Sequence, residues 1–227
     1  YIFDAKILAF YHQNPYLQKP LDYPADPMLS FMHWTHRTYP YGPIWLVLTV
    51  PLSFFGLQYF LPTLFLFKSL MAASFVGSVW MVGKILRKIA PQWETFGIIF
   101  IGLQPLLLLE SVVSAHLDIV MLFFALWAFY LLVQKRYVWG LLILLFSIGI
   151  KFATVFLLPV FVLVWYWQYK GRKVSWEKVF LTATALMLVA TVVMSFRTTF
   201  QPWYLVCLLC FASVVSYNRL VFIPSVI

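Results

Sequence analysis

Two stretches of this chain, residues 119–134 and 179–196, carry no charged side chain at all, and similar apolar runs recur between them. Runs of this kind approach the ~20 residues that cross a bilayer as a helix. Composition says the same. Of 227 residues, 63% are hydrophobic and 10% charged, against roughly 45–50% and 25% in a soluble domain. No single water-soluble core hides that excess, so the solvent for most of the chain is lipid. The expected fold is all-α: a polytopic transmembrane helical bundle, with interfacial or re-entrant helices in a first outer loop.

The net charge of +9 does not indicate nucleic acid. The Lys and Arg residues gather between apolar runs, at Lys84/Arg87/Lys88, Lys135/Arg136 and Lys170/Arg172/Lys173/Lys178, as cytoplasmic loops do under the positive-inside rule. Cys207 and Cys210 have CxxC spacing inside an apolar run. With no second ligand pair in the chain they read as small apolar filler, and no metal site is expected. The chain starts at Tyr1 within a polar stretch and stops within an apolar one, which reads as a piece cut from a longer protein.

Candidate helices lie at 43–58, 62–83, 95–110, 118–134, 137–150, 153–168, 178–196 and 203–217, preceded by a short amphipathic one (Phe3, Ile7, Leu8, Tyr11) that Pro15 stops. If the three basic clusters share the cytoplasmic side, an even number of crossings separates each from the next. Residues 137–168 must then be a hairpin turning near Lys151, with arms of about 22 Å, short of a ~30 Å hydrocarbon core. By the same parity 43–58 does not cross. The expected division is an outer loop over 1–61 and a bundle of about seven crossings over 62–227.

This topology puts most acids and histidines on the non-cytoplasmic face. Ionisable groups near a bilayer are costly and tend to be functional or paired. Glu110, His116 and Asp118 crowd one short link. Either it is a solvated loop with Asp118 capping the next helix, or it lines the mouth of a cavity. Lys151 at the hairpin tip either snorkels to the interface or meets a phosphate. Arg37, Tyr39 and Tyr41 lead into 43–58 through a Pro/Gly turn, and Arg197, Gln201, Trp203 and Tyr204 form a second aromatic approach to a helix. Both also read as an interfacial aromatic belt.

In this order the motifs resemble membrane glycosyltransferases of the GT-C class. They are most similar to the bacterial and archaeal branch of polyprenol-phosphate-mannose-dependent mannosyltransferases. The resemblance rests on Asn14-Pro15-Tyr16, Tyr39-Pro40-Tyr41-Gly42-Pro43, Glu110 with Ser114 to Asp118, Ile150 to Thr154 followed by Leu158-Pro159, and Gln201 to Tyr204. It covers nearly the whole chain. It implies a lipid-linked donor, transfer on the outer face and inversion at the anomeric carbon. The family's usual catalytic carboxylate follows the first spanning helix. That place lies upstream of Tyr1 and leaves Asp4 the nearest acid. Leu117 stands where the pattern carries a polar residue.

The implied reaction moves a hexose, mannose by the resemblance, from a polyprenyl-phosphate carrier to a glycan or lipid acceptor. Asp4, Asp118, His116 and Glu110 are the catalytic candidates. Lys151, Arg37 and Arg197 would meet the phosphate, and Tyr39, Tyr41, Gln201, Trp203 and Tyr204 the substrates. The partners expected are membrane lipid, donor and acceptor, with no nucleic acid and no cofactor. Two other classes stand beside the enzyme: a lipid or small-anion transporter or flippase, and a non-catalytic subunit of a glycan-assembly complex. Transporters place their ionisable groups near the midplane, whereas here they gather at helix ends.

Overall fold

The computed structural model describes the backbone of residues 1–197 and 199–226 and the side chains of 1–196 and 199–223. The chain is 76% helical, with no strand among the described residues. An all-α fold follows from the solvent: in lipid, a helix satisfies its backbone polar groups within its own segment. Two compact units divide within a long helix, one over Tyr1–Leu70 and the other over Met71–Ile227. The division expected from the sequence, between 61 and 62, falls near the start of that helix.

In the first unit, α1 (Ile2–Ala9) packs against α2 (Pro43–Phe55). Phe3, Ile7 and Met28 form the core, with Ile2, Tyr23, Met32 and Phe60 against it. The expected amphipathic start is corrected in one respect. Phe3, Asp4, Ala5, Lys6 and Ile7 are all buried, acid and lysine included, while Leu8 and Tyr11 are exposed. α1 also ends at Phe10, ahead of Pro15, and His12 then takes a left-handed backbone (φ 53°).

Gly42 and Pro43 start α2, where the missing proline N–H costs nothing. At its end Gly56 is required. A Cβ there would stand 2.0 Å from the Thr63 hydroxyl oxygen. With 13 residues, α2 is about 20 Å long and too short to cross the hydrocarbon as a straight helix. Left-handed Leu57 and Gln58 then turn the chain into α3 (Phe60–Ile89).

The second unit takes the rest of α3, which carries Lys84, Arg87 and Lys88 on its last turns rather than in a loop. Arg87 pairs with Glu94 there at 2.5 Å. The helix expected over 95–110 is not continuous. α4 (Glu94–Leu103) and α5 (Pro105–Leu108) meet at a bend of 52°. Pro105 is the reason, since its ring and missing N–H break the ladder. The Gln104 side chain accepts from the freed Leu106 amide at 3.4 Å. A π turn over Leu109–Val113 follows.

Among the described residues six more helices complete this unit: α6 (Asp118–Val133), α7 (Tyr137–Ile150), α8 (Leu158–Tyr169), α9 (Trp176–Arg197), α10 (Tyr204–Ala212) and α11 (Arg219–Val226). α6 is its centre. Phe129 on α6 meets Phe161, Phe180 and Phe211 of α8, α9 and α10 at 5.3–6.0 Å between ring centroids. α7 lies close against α6 at Gly140, where a Cβ would stand 3.1 Å from the Ala128 carbonyl oxygen and 2.8 Å from the Phe161 ring.

Among the described residues three helices, Phe60–Ile89, Phe152–Tyr169 and Trp176–Phe196, are long and apolar enough to cross a membrane, and the bent pair makes up to four. Asp118–Val133, Tyr137–Ile150 and Tyr204–Val215 are shorter and apolar. At 1.5 Å per residue they fall short of a ~30 Å core. The expected break near Lys151 is present. α7 stops at Ile150, Lys151 is extended, and a 3-10 turn over Phe152–Leu157 leads into α8.

Candidate functional site

In the second unit the polar groups singled out by sequence come together at the start of α6. Asp118 opens that helix, 1% exposed. No side-chain cap is made there, so its carboxylate is not spent as a helix cap. Instead Lys151 Nζ donates to Asp118 Oδ1 at 2.6 Å, and the Cys207 thiol donates to the same oxygen at 3.6 Å. Lys151 therefore does not snorkel. Its ammonium folds back over the Tyr204 ring, 5.4 Å from the centroid.

Local chemistry fixes each partner. Ser147 on α7 donates to the Met121 carbonyl of α6 at 2.7 Å and shares a hydrogen bond with Thr154 at 3.0 Å. This pins both sides of Lys151. Thr191 on α9 donates to the Tyr204 carbonyl at 3.0 Å and holds the first turn of α10. Extended backbone at Lys151 then lets its side chain turn back toward Asp118.

The link from α5 to α6 is equally specific. Ser114 N–H reaches the Leu109 carbonyl at 2.7 Å and His116 N–H the Glu110 carbonyl at 3.0 Å, with Ala115 left-handed at φ 59°. This winding lays the His116 ring on the Trp203 indole, centroids 4.0 Å apart and 18° from parallel. His116 Nε2 also comes within 3.3 Å of Glu110 Oε2. Burial pushes the His116 imidazole below its ordinary pKa. The Asp118 carboxylate opposes that shift and the Lys151 ammonium adds to it. Neutral imidazole, able both to donate and to accept, is thus the form held at neutral pH.

Glu110, His116, Asp118, Lys151, Trp203 and Tyr204 are thereby connected. Gln201 stands beside them in sequence, its amide donating to Thr199 at 3.0 Å. The side chain of Arg197 lies outside the described residues. The sequence reading missed Cys207, which is no mere filler, because its thiol faces the carboxylate. It also missed Ser111, whose hydroxyl is buried in the π turn without a hydrogen-bond partner. The one sequence signal for Cys207 is its place one turn after Tyr204.

The remaining candidates belong to the first unit. Asp4 is buried in the first turn of α1. Tyr39 is also buried, and its hydroxyl donates to the Gly42 carbonyl at 2.8 Å, so its polar end holds the turn into α2. Tyr41 packs edge-on to Tyr39 at 5.6 Å, and its carbonyl accepts from Tyr16 at 3.0 Å. Arg37 is exposed, with its guanidinium 4.5 Å from the Trp34 ring centroid. Among the described residues, no group of three or more His, Cys, Asp or Glu is placed to hold a metal ion.

A family model described as "MptA_B_family: Alpha-(1->6)-mannopyranosyltransferase, N-terminal domain" matches residues 1–167. Searches of curated proteins and of solved structures give no match.

Proposed function

Since the chain belongs to the MptA_B family of α-(1→6)-mannopyranosyltransferases, we propose that it takes mannose from a polyprenyl-phosphate carrier and transfers it to a glycan or lipid acceptor at the outer face of the membrane. The observation that carries this reading is the Asp118–Lys151 pair at 2.6 Å, set beside Glu110, His116 and Trp203 at the ends of apolar helices. One cluster there holds a carboxylate, an imidazole, a cation and a flat ring.

The reaction is a displacement at the anomeric carbon. The acceptor's 6-hydroxyl oxygen bonds to that carbon, the bond from carbon to phosphate oxygen breaks, and polyprenyl phosphate leaves with the electron pair. A carboxylate takes the hydroxyl proton, a role worth typically 10²–10⁴-fold. Asp118 is the candidate in the second unit and Asp4 in the first. Lys151 meets charge growing on the phosphate, the kind of electrostatic stabilisation that is often the largest single contribution. An ammonium has three donors, one of which reaches Asp118. His116, kept neutral, bridges Glu110 and the leaving group. In the second unit Trp203, Tyr204 and Gln201 are the further candidates for substrate contact. An α linkage formed in one inverting step calls for a β-linked donor, in keeping with the resemblance to GT-C enzymes.

The test uses membranes carrying the full-length protein and radiolabelled polyprenyl-phosphate mannose, with Asp118→Asn and Lys151→Ala alongside. Label should pass to an acceptor in wild type and fall about 100-fold or more in either variant, the scale of a lost acid–base group for Asp118 and of lost charge stabilisation for Lys151. Transfer that survives both substitutions removes the site and keeps the enzyme. No transfer from well-expressed wild type, with other carrier-linked sugars also tried, removes the reading.

A further inference from the structure

A second polar cluster lies in the first unit, and none of its residues has a part in the proposed chemistry. Lys6 on α1 and Asp26 pair at 2.6 Å, with side chains only 6% and 1% exposed. Tyr11 donates to the same Asp26 oxygen at 2.7 Å, and the Met28 amide donates to the other at 2.8 Å. A buried pair of this kind adds little net stability, because desolvation offsets the attraction. Yet this pair is not sealed under apolar side chains. It sits in the wall of an open cleft of about 310 Å³ lined by Lys6, Tyr11, Tyr23, Asp26, Gln58 and the Pro24–Pro27 turn.

Three properties of the cleft narrow its ligand. Its size is at the lower end of the roughly 300–1,000 Å³ usual for small-molecule sites, which suits the end of a glycan better than a polyprenyl chain. Its charge is balanced, since its one cation and one anion face each other, so it offers nothing extra to a phosphate. Its walls are flat. Tyr11 and Tyr23 lie 4.1 Å apart and 31° from parallel, with two proline rings beside them. Sugar C–H faces pack on such surfaces, while the exposed Gln58 amide supplies an acceptor and donors for hydroxyls. Gln58 is exposed at the rim on a left-handed backbone (φ 64°), a conformation uncommon for a residue other than glycine.

We infer that the cleft between α1 and the Pro24–Pro27 turn is a binding subsite for a neutral carbohydrate, the acceptor glycan, with Tyr23 and Gln58 as its accessible contacts. The identification of the ligand as acceptor rests on the transfer reading above. The site's affinity for sugar does not.

The full-length protein in lipid nanodiscs is titrated with α-(1→6)-linked mannotriose by saturation-transfer NMR, for wild type, Tyr23→Ala and Gln58→Ala. Acceptor and donor KM are measured on the same preparations. Each variant should weaken trisaccharide binding and raise acceptor KM by about ten-fold, one contact's worth at 1.4 kcal/mol per decade, with donor KM unchanged. Wild-type affinity and acceptor KM in Gln58→Ala, an exposed change that leaves the fold intact, together with the same in folded Tyr23→Ala, overturn the inference and leave the transferase standing. A shift in donor KM instead also overturns it. Sugar binding lost in the variants while wild type transfers nothing upholds the cleft and removes the transferase.

Discussion

Lys151 donates to Asp118 at 2.6 Å across 33 positions of sequence, where the end of α7 meets the first residue of α6. The acid is almost wholly buried and the lysine partly so, with side-chain exposures of 1% and 16%. A carboxylate taken out of water needs such a partner. The same geometry leaves the ammonium at the edge of the cluster, beside Tyr204.

Removing Lys151 alone should therefore cost more than removing both charges. Lys151→Met strands a buried carboxylate and should destabilise the protein by about 3–5 kcal/mol, seen as a lower melting temperature in detergent. The double variant Asp118→Leu/Lys151→Met should recover most of that loss and still transfer no mannose. A single variant that melts like wild type would show that the pair is not closed in the membrane.

The His116 imidazole should titrate below the ordinary value of about 6.5, chiefly through burial. The unfolded chain then takes up a proton that the folded one resists. Stability from this group is present above about pH 6.5 and declines as pH falls below it. Two variants read the causes separately in an NMR titration of labelled histidine. Trp203→Ala uncovers the ring and should raise the value, while Asp118→Asn removes an attractive charge and should lower it further. Movement of both in one direction contradicts the arrangement.

Asp26 gives a prediction of the same sign, at lower pH, in the first unit. Burial alone would raise its carboxyl, but hydrogen bonds from Lys6, Tyr11 and the Met28 amide, with the charge of Lys6, hold it below its ordinary range. This stabilisation is complete above the unfolded carboxyl's pKa of about 3.9 and is lost as pH falls through the lower folded value. The Tyr11 hydroxyl is pushed up to about 12 by burial and then by Asp26. Asp26→Asn should bring it part of the way back toward 10 and flatten acid unfolding. An unchanged Tyr11 would separate the two groups.

Gly140 should not tolerate a side chain. With the Ala128 carbonyl and the Phe161 ring already in the way, Gly140→Val forces α7 off α6 and should cost about 1–3 kcal/mol. Because α7 carries Lys151 at its end, transfer should fall together with thermal stability. Full activity with wild-type stability would mean that the helices separate freely there.

The sequence by itself determined the solvent and the element type. Uncharged runs over 119–134 and 179–196 lack the alternation of a barrel strand, and in lipid they satisfy their backbone as helices whatever their neighbours. It also determined two of the breaks, Gly42-Pro43 through local backbone chemistry and Lys151 through the spacing of the basic clusters. At Pro105 the apolar pattern continues on both sides and hides the bend. The choice between capping and pairing for Asp118, and between snorkelling and pairing for Lys151, could not be made from spacing. Either choice is locally allowed, and the difference lies in a partner 33 residues away. Cys207 beside Asp118 and Lys6 beneath Asp26 were illegible for the same reason. A side chain's role in low dielectric is set by what faces it, and only tertiary packing brings those faces together.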